Sequence, residues 1–431
     1  MLICVASLWA SLGWHVMMAA RLLMVVLLGT PDAVTGHIER VAIIGGGLAG
    51  LGTAVSLLDG GVRELHIFDT EPGPGLGGAS AVAAGLLHPF RPNGREIWCG
   101  QEGFDATANL IQRCERLMGE RVSVDGGLLR LAMDPGQADV LRKACAAAES
   151  VGPLEQRWCT RGEALDFKAG GAALGAAFAP AALSVDTPAY LRALWGVCEA
   201  IATDDVSKEA RWRPGQLGAL AELHAATAAA GEAPFDAVVV ASGFCATELA
   251  ELRGLGQNKA LRPCRGQNLL LDNSAGLATP LICGKYLVPV DGGRRILAGA
   301  TFEYDTPERV HRPADAADAA AVLRPSLAAM HPPLAHAEIL GASAGVRSLP
   351  PRSHFGYVPL AGRLPAHLSG GLGGTPCSTW FFGGLGSRGL IHHALLGKAV
   401  AEAVLAEDEE RIPEHVRRLD LAAMVGDAAD G

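Results

Sequence analysis

The sequence predicts an α/β protein: a doubly wound, Rossmann-like domain assembled from discontinuous segments, with an inserted domain of mixed antiparallel sheet plus helix. Three observations carry this prediction. Residues 40–69 read as strand, glycine turn, helix and strand. A continuous β-branched run, Asp236-Ala237-Val238-Val239-Val240-Ala241-Ser242-Gly243, reads as a strand buried on both faces of a parallel sheet. Alternating patterns at 268–271, 286–290 and 296–300 read as antiparallel strands, and a second strand, glycine turn and helix follows at 381–405.

Taken in order, Leu2 to Leu28 carries one charge, Arg21, and is long enough for a membrane anchor. Ser7, Ser11, Gly13, Trp14 and His15 dilute it, and its densest part, Leu22 to Leu28, has no small-x-small cleavage site. Residues 1–38 are therefore an apolar leader, either a targeting device or a non-functional extension, with any membrane contact confined to residues 1–28. The globular protein begins near Ile38.

Arg40–Ile44 is a short apolar run, and Leu51, Ala54, Val55, Leu57 and Leu58 repeat at helical spacing after it. The next run, Leu65 to Phe68, ends at Asp69, 19 residues beyond Gly50. Residues 70–95 are turn-rich. Phe104–Met118 reads as an amphipathic helix, 126–133 as a strand and Asp139–Ser150 as a helix. Another helix runs from Thr187, an N-cap before Pro188, to Ala202, with Tyr190, Leu191, Leu194 and Val197 on one face. No strand is visible in the polar interval from Asp205 to Leu223. The expected division is 39–95 with 180–250 and 340–410 in the doubly wound domain, 96–179 with 251–339 in the inserted domain, and 411–431 as a tail.

Lys and Arg total 36 against 45 Asp and Glu, a net charge of −9, so no overall basic field is available for a phosphate backbone and nucleic acid is an unlikely partner. The ten cysteines never form a C-x-x-C pair, which reads as reduced, buried thiols and an intracellular protein of cytoplasm or organelle. No metal site is expected. H-E-x-x-H, zinc-spaced cysteines and a Walker loop are all missing, and His392 and His393, adjacent on a helix, point too far apart to share an ion.

Gly45, Gly47 and Gly50 fit G-x-G-x-x-G, with Leu48 and Ala49 inside the motif. Gly45 makes the turn, Gly47 lets the backbone approach a pyrophosphate, and Gly50 allows close helix-to-strand packing. Asp69, followed by Thr70, stands where an acid accepts the adenosine ribose hydroxyls. These residues predict a dinucleotide and leave its kind open.

The remaining motifs occur in a particular order: Gly78-Ala79-Ser80, Ala84-Gly85-Leu86-Leu87, Val239 to Gly243, Arg265-Gly266-Gln267, Tyr286-Leu287-Val288-Pro289, Gly299-Ala300-Thr301, Gly345-Val346-Arg347 and Gly384 to Gly389. The series, over residues 39–405, resembles the D-amino-acid oxidase and glycine oxidase family of FAD-dependent oxidoreductases. The resemblance implies an FAD-binding doubly wound domain. Ser80 would meet the FAD phosphates, and Gly85, Leu86 and Leu87 would run past the isoalloxazine. Ala241, Ser242 and Gly243 would pass close to the cofactor. Gly384, Gly386, Ser387, Arg388, Gly389 and Leu390 would set a helix N-terminus against the flavin pyrimidine ring, with Arg388 supporting the loop.

By the same resemblance Arg347 and Tyr286 bind a substrate carboxylate, the arginine as a bidentate fork and the tyrosine through its hydroxyl. An uncharged amine then loses hydride from its α-carbon to the flavin, and the imine hydrolyses in water. Oxygen or another electron acceptor reoxidises the cofactor. His88 near the flavin edge reads as structural. The sequence departs from the family after Arg347, where Ser348-Leu349-Pro350-Pro351 leads to Phe355-Gly356-Tyr357-Val358-Pro359. Arg265-Gly266-Gln267, Gly299-Ala300-Thr301 and Gly386 to Leu390 look equally like the oxidase domain of a bifunctional tRNA wobble-uridine modification enzyme. A non-catalytic or membrane-tethered flavoprotein is the third reading.

Overall fold

In the computed structural model, residues 38–148, 152–304, 307–366 and 377–417 are described, and the leader and the distal tail lie outside them. Six strands form the first sheet, in the order Leu360–Arg363, Ser378–Gly383, Ala237–Val240, Arg40–Ile44, Glu64–Asp69 and Glu209–Pro214. All neighbours run parallel except the Leu360–Arg363 edge. Central strands read as unbroken apolar runs because both faces are covered. Val41 and Ile43 face the helices Leu48–Asp59, Thr187–Asp204 and Gly389–Ala406, while Ala42 and Val238 face Leu220, Phe235 and Leu252.

The helix Gly389–Ala406, long and apolar, is packed into that core. It crosses Leu48–Asp59 at two glycines: a Cβ on Gly397 would stand 2.9 Å from the Gly52 backbone, so any larger residue there separates the helices.

The second sheet is mixed. Its order is Glu303–Tyr304, Arg262–Asp272, Arg295–Gly299, Lys285–Val290, Leu281–Cys283, Leu128–Ala132, Gly175–Ala179 and Arg157–Thr160, with Ile339–Leu349 paired along Arg262–Asp272. One face packs on the helix Ala316–Met330 through Leu269, Leu271, Ile296, Leu323 and Leu327. The strand Ile339–Leu349, which carries Arg347, pairs with this sheet almost from end to end. The sequence division had put 340–349 with the first sheet. The segment from Leu360 onward does join that sheet.

Several element readings are corrected. The polar interval holds an edge strand, Glu209–Pro214, and a helix, Leu220–Ala229. The helix read as Asp139–Ser150 spans Pro135–Ala147, capped by Asp134, whose carboxylate accepts the Gln137 N–H. Thr187 is the first helical residue and Asp186 the cap, accepting from the Ala189 N–H at 3.0 Å. The helix read from Phe104 begins at Gly100. Cys114, Cys159, Cys198 and Cys264 are buried thiols, whereas Cys245 is exposed.

Candidate functional site

At the carboxyl ends of the first-sheet strands the chain turns three times in close contact. Gly45 has φ +107°, its N–H donates to the Phe68 carbonyl at 2.8 Å, and a Cβ there would lie 2.6 Å from Ser242 Cα. On Gly50 a Cβ would fall 1.9 Å from the Gly45 carbonyl oxygen. Both positions exclude any side chain.

The helix Leu48–Asp59 has no side-chain cap of its own. Ser80, from the short helix Gly78–Ala81, accepts the Leu48 N–H at 3.1 Å in its place. Ala49 and Gly50, in the same first turn, have no intrahelical partner for their N–H groups. Asp69 accepts the Gly46 N–H at 2.6 Å and the Glu71 N–H at 2.9 Å; Thr70 beside it is exposed. Trp212, on the edge strand that sequence reading missed, lies against Gly46 and donates to the Glu71 carbonyl.

The other predicted segments converge on this turn. Gly85, with φ +74°, packs on the Val185 carbonyl, and Leu86–Leu87 pairs with Leu183–Ser184. Ala241 is buried, Gly243 takes φ +62°, and the buried Ser242 hydroxyl has no hydrogen-bond partner among the described residues. Gly384 and Gly386 have φ +67° and +56°, and the Gly386 N–H donates to the carbonyl of Ser348, next to Arg347. Gly389 and Leu390 open the last long helix; a Cβ on Gly389 would lie 3.0 Å from Leu48 Cδ1, so two helix N-termini stand side by side. Ser387 is exposed, and Arg388 donates to the Tyr357 carbonyl, turned toward the loop as a support. Two adjacent helix N-termini make a site for an extended anion.

Across from these turns lies one face of the second sheet. Asn268 and Tyr286 both pair with Gly299, one from each side, and the glycine leaves room for the Tyr286 hydroxyl to donate to Asn268 Oδ1 at 2.6 Å over it. Asn268 Nδ2 donates to the Val82 carbonyl at 2.7 Å, tying the sheet to the Gly78–Leu87 segment. Burial pushes the Tyr286 phenol up to about 12.

Arg347 pairs with Cys264, and since Ser343 pairs with Asn268, the even spacing puts Arg347 on the Tyr286 face. Its guanidinium lies over Gly266, where a Cβ would fall 2.4 Å from Nη2. Gly266 and Gly299 are diagonal neighbours, roughly 7–8 Å apart, so the hydroxyl and the guanidinium can reach one small anion. No carboxylate pairs with Arg347 among the described residues; its guanidinium stacks 4.8 Å from the Phe302 ring centroid.

Arg265 and Gln267 point to the opposite face. Arg265 is buried against Glu303 at 2.8 Å and Gln267 accepts the Asp315 N–H, so those two members of the motif anchor the helix Ala316–Met330, and Gly266 alone faces the site. His88 accepts the Phe90 N–H through Nδ1, a turn contact. Asn268, Trp212, Lys285 and Phe302 were not singled out from sequence. A hollow of about 480 Å³ at the opposite end of the first sheet, lined by Glu39, Arg40, Arg63, Glu64 and Lys208, lies far from the strand carboxyl ends where α/β sheets bind ligands.

Residues 40–403 match the family described as DAO, FAD dependent oxidoreductase. The chain is 27% identical over 346 residues to glycine oxidase of Pseudomonas aeruginosa, covering 76% of this chain and 86% of that one. It is 27% identical over 386 residues to the bifunctional tRNA 5-methylaminomethyl-2-thiouridine biosynthesis protein of Caulobacter sp. (strain K31), covering 85% of this chain. The match spans only 55% of that protein's length. Among solved structures, glycine oxidase from Geobacillus kaustophilus superposes with a TM-score of 0.67 at 22% identity, over 88% of this chain and 97% of that one. Iminodiacetate oxidase from Chelativorans sp. BNC1 gives 0.65 at 20%, over 88% and 98%. At such identities these structures establish the fold.

Proposed function

The chain belongs to the DAO family of FAD-dependent oxidoreductases, and from that premise we propose that it oxidises the C–N bond of a small amino acid or secondary amine held through its carboxylate by Arg347 and Tyr286. The observation that carries the reading is an arginine that has no acidic partner among the described residues, on the same sheet face as the buried tyrosine hydroxyl, opposite the glycine turns.

The residues present fit FAD. The partnerless buried Ser242 hydroxyl, the backbone cradle at Gly45 and Gly50 and the two abutting helix N-termini are the donors and the space that a pyrophosphate and a reducible ring require. When bound, FAD supplies the hydride acceptor.

The protein supplies position. Arg347 offers parallel N–H donors to a carboxylate, and the Tyr286 hydroxyl, held by Asn268, fixes its rotation. Because Tyr286 stays protonated far above neutral pH, it acts as a hydrogen-bonding group, not as a base. An uncharged amine held there would give up hydride from its α-carbon to the bound cofactor, and the iminium ion left behind would take up water to give an oxo acid or aldehyde with ammonium or a protonated primary amine. Oxygen as acceptor would yield peroxide.

A second reading draws on the bifunctional relative: oxidation of a carboxymethylamino group on tRNA wobble uridine, for which the exposed, stacked Phe302 and Tyr304 rings beside Arg347 would serve as a platform for a base. Anaerobic addition of glycine, sarcosine and D- and L-amino acids, following the flavin absorption band, decides between them. Bleaching by a free amine supports the first reading. Bleaching by modified tRNA alone supports the second, and a flavin that nothing reduces overturns both.

A further inference from the structure

Lys285, one residue before Tyr286, starts on the opposite face of the strand, and its long side chain reaches round the strand end. Its ammonium donates to the Ala300 carbonyl at 2.6 Å, just past the end of the Arg295–Gly299 strand, and lies 4.6 Å from the Phe302 ring centroid. Arg347 lies 4.8 Å from the same centroid, which places the two cations within about 9.5 Å of each other around one aromatic ring.

Neither cation has an acidic partner among the described residues. Glu303, next to Phe302 in the chain, is committed on the other side to Arg265, Gln267 and Arg309. Burial and the neighbouring Arg347 both lower the Lys285 pKa, the signature of an ammonium drawn out of water beside a like charge. Phe302 is 45% exposed, so the ring and its two cations lie at a solvent-reachable rim.

One substrate carboxylate, placed between Arg347 and Tyr286, leaves the second cation uncompensated. With one N–H given to Ala300, Lys285 keeps two donors for another acceptor. We infer that Lys285 is a specificity-determining residue that takes a second carboxylate, so that the enzyme selects short amino diacids over glycine-like monoacids. Two carboxylates roughly 4–5 Å apart, the reach of a short diacid, fit between two cations that are no more than about 9.5 Å apart. The inference rests on the amine-oxidation reading and names its substrate class.

The holoenzyme tests it in two ways. kcat/KM is measured for glycine and sarcosine against aspartate and iminodiacetate, and dissociation constants for acetate and propionate against malonate and succinate are read from perturbation of the flavin band. The expected result is a preference for diacids of about tenfold or more on both scales, eroded by salt. Lys285→Met should collapse the diacid-to-monoacid ratio to within about threefold, and Lys285→Arg should keep it.

Equal preference in the native enzyme, or a Lys285→Met variant that scales both classes alike, overturns the inference and makes Lys285 a structural residue. So does a preference for carboxymethylamino RNA without any for diacids. If no amine of either class reduces the flavin, the amine-oxidation reading fails on its own, and the malonate and acetate affinities still decide whether Lys285 holds an anion.

Discussion

Replacing Asn268 by Leu, of similar volume, removes two hydrogen bonds and leaves both partners behind. The Tyr286 hydroxyl loses its 2.6 Å acceptor and the Val82 carbonyl its 2.7 Å donor, at a residue only 3% exposed. Each of the two buried polar groups left unsatisfied costs about 1–3 kcal/mol, and the added apolar burial returns about 1, so a net loss of about 1–5 kcal/mol is expected. The amide orientation is fixed by its surroundings, because a carbonyl can only accept. Asn268→Asp therefore keeps the tyrosine contact but replaces the tie to Val82 by a repulsion between two acceptor oxygens. Urea denaturation measures the stability, and steady-state kinetics with the reducing amine measures the site. Asn268→Leu should raise KM about 3–10-fold by freeing the tyrosine hydroxyl, and its effect with Tyr286→Phe should be non-additive by about 1 kcal/mol or more. Lost stability with an unchanged KM, or strict additivity, would refute the claim that Asn268 acts through Tyr286.

Gly50→Ala should abolish tight FAD binding in a fluorescence titration, since its Cβ would lie 1.9 Å from a backbone oxygen that cannot move without opening the turn; native affinity would contradict the cradle. Ser242→Ala should weaken FAD by about 1 kcal/mol yet cost the apoprotein nothing, because the hydroxyl has no hydrogen-bond partner among the described residues. A destabilised apoprotein with unchanged FAD affinity would assign Ser242 to the fold. His392 and His393 are held neutral, at about 3 and about 4, chiefly by burial. Their folded pKa lies below the unfolded value of about 6.5, so their contribution is present above that pH and lost as pH falls toward 4, by up to about 2–3 kcal/mol per pH unit for the pair. Denaturation midpoints between pH 7 and 4.5 should fall accordingly, and His392→Met should flatten the slope.

The glycine turns were legible because their constraint is local: Gly45 and Gly50 are forced by the backbone passing beside them, and the strand and helix around them carry the periodicity of their own burial. The edge strand Glu209–Pro214 was not, although it alternates. Arg211 pairs with Glu209 and Glu232, and Arg213 with Glu232, at the sheet's rim, and such charges mimic a solvated loop. Thr187 stands before Pro188 as a cap would, and only geometry shows that Asp186 reaches the Ala189 N–H.

Arg347 and Tyr286 were found through resemblance, since nothing in their spacing shows that intervening strands bring them onto one face. Asn268, Lys285 and Phe302 had no such help. A polar residue in an alternating strand reads as outward-facing, and what makes Asn268 part of the site is a glycine on the neighbouring strand and a carbonyl from another segment. Backbone necessity is written residue by residue, whereas side-chain chemistry is written in register, and register appears only when the strands pair. That is why the glycine turns of the cofactor side are legible in the sequence, whereas a lysine sharing one aromatic ring with Arg347 is set there only by the folded chain.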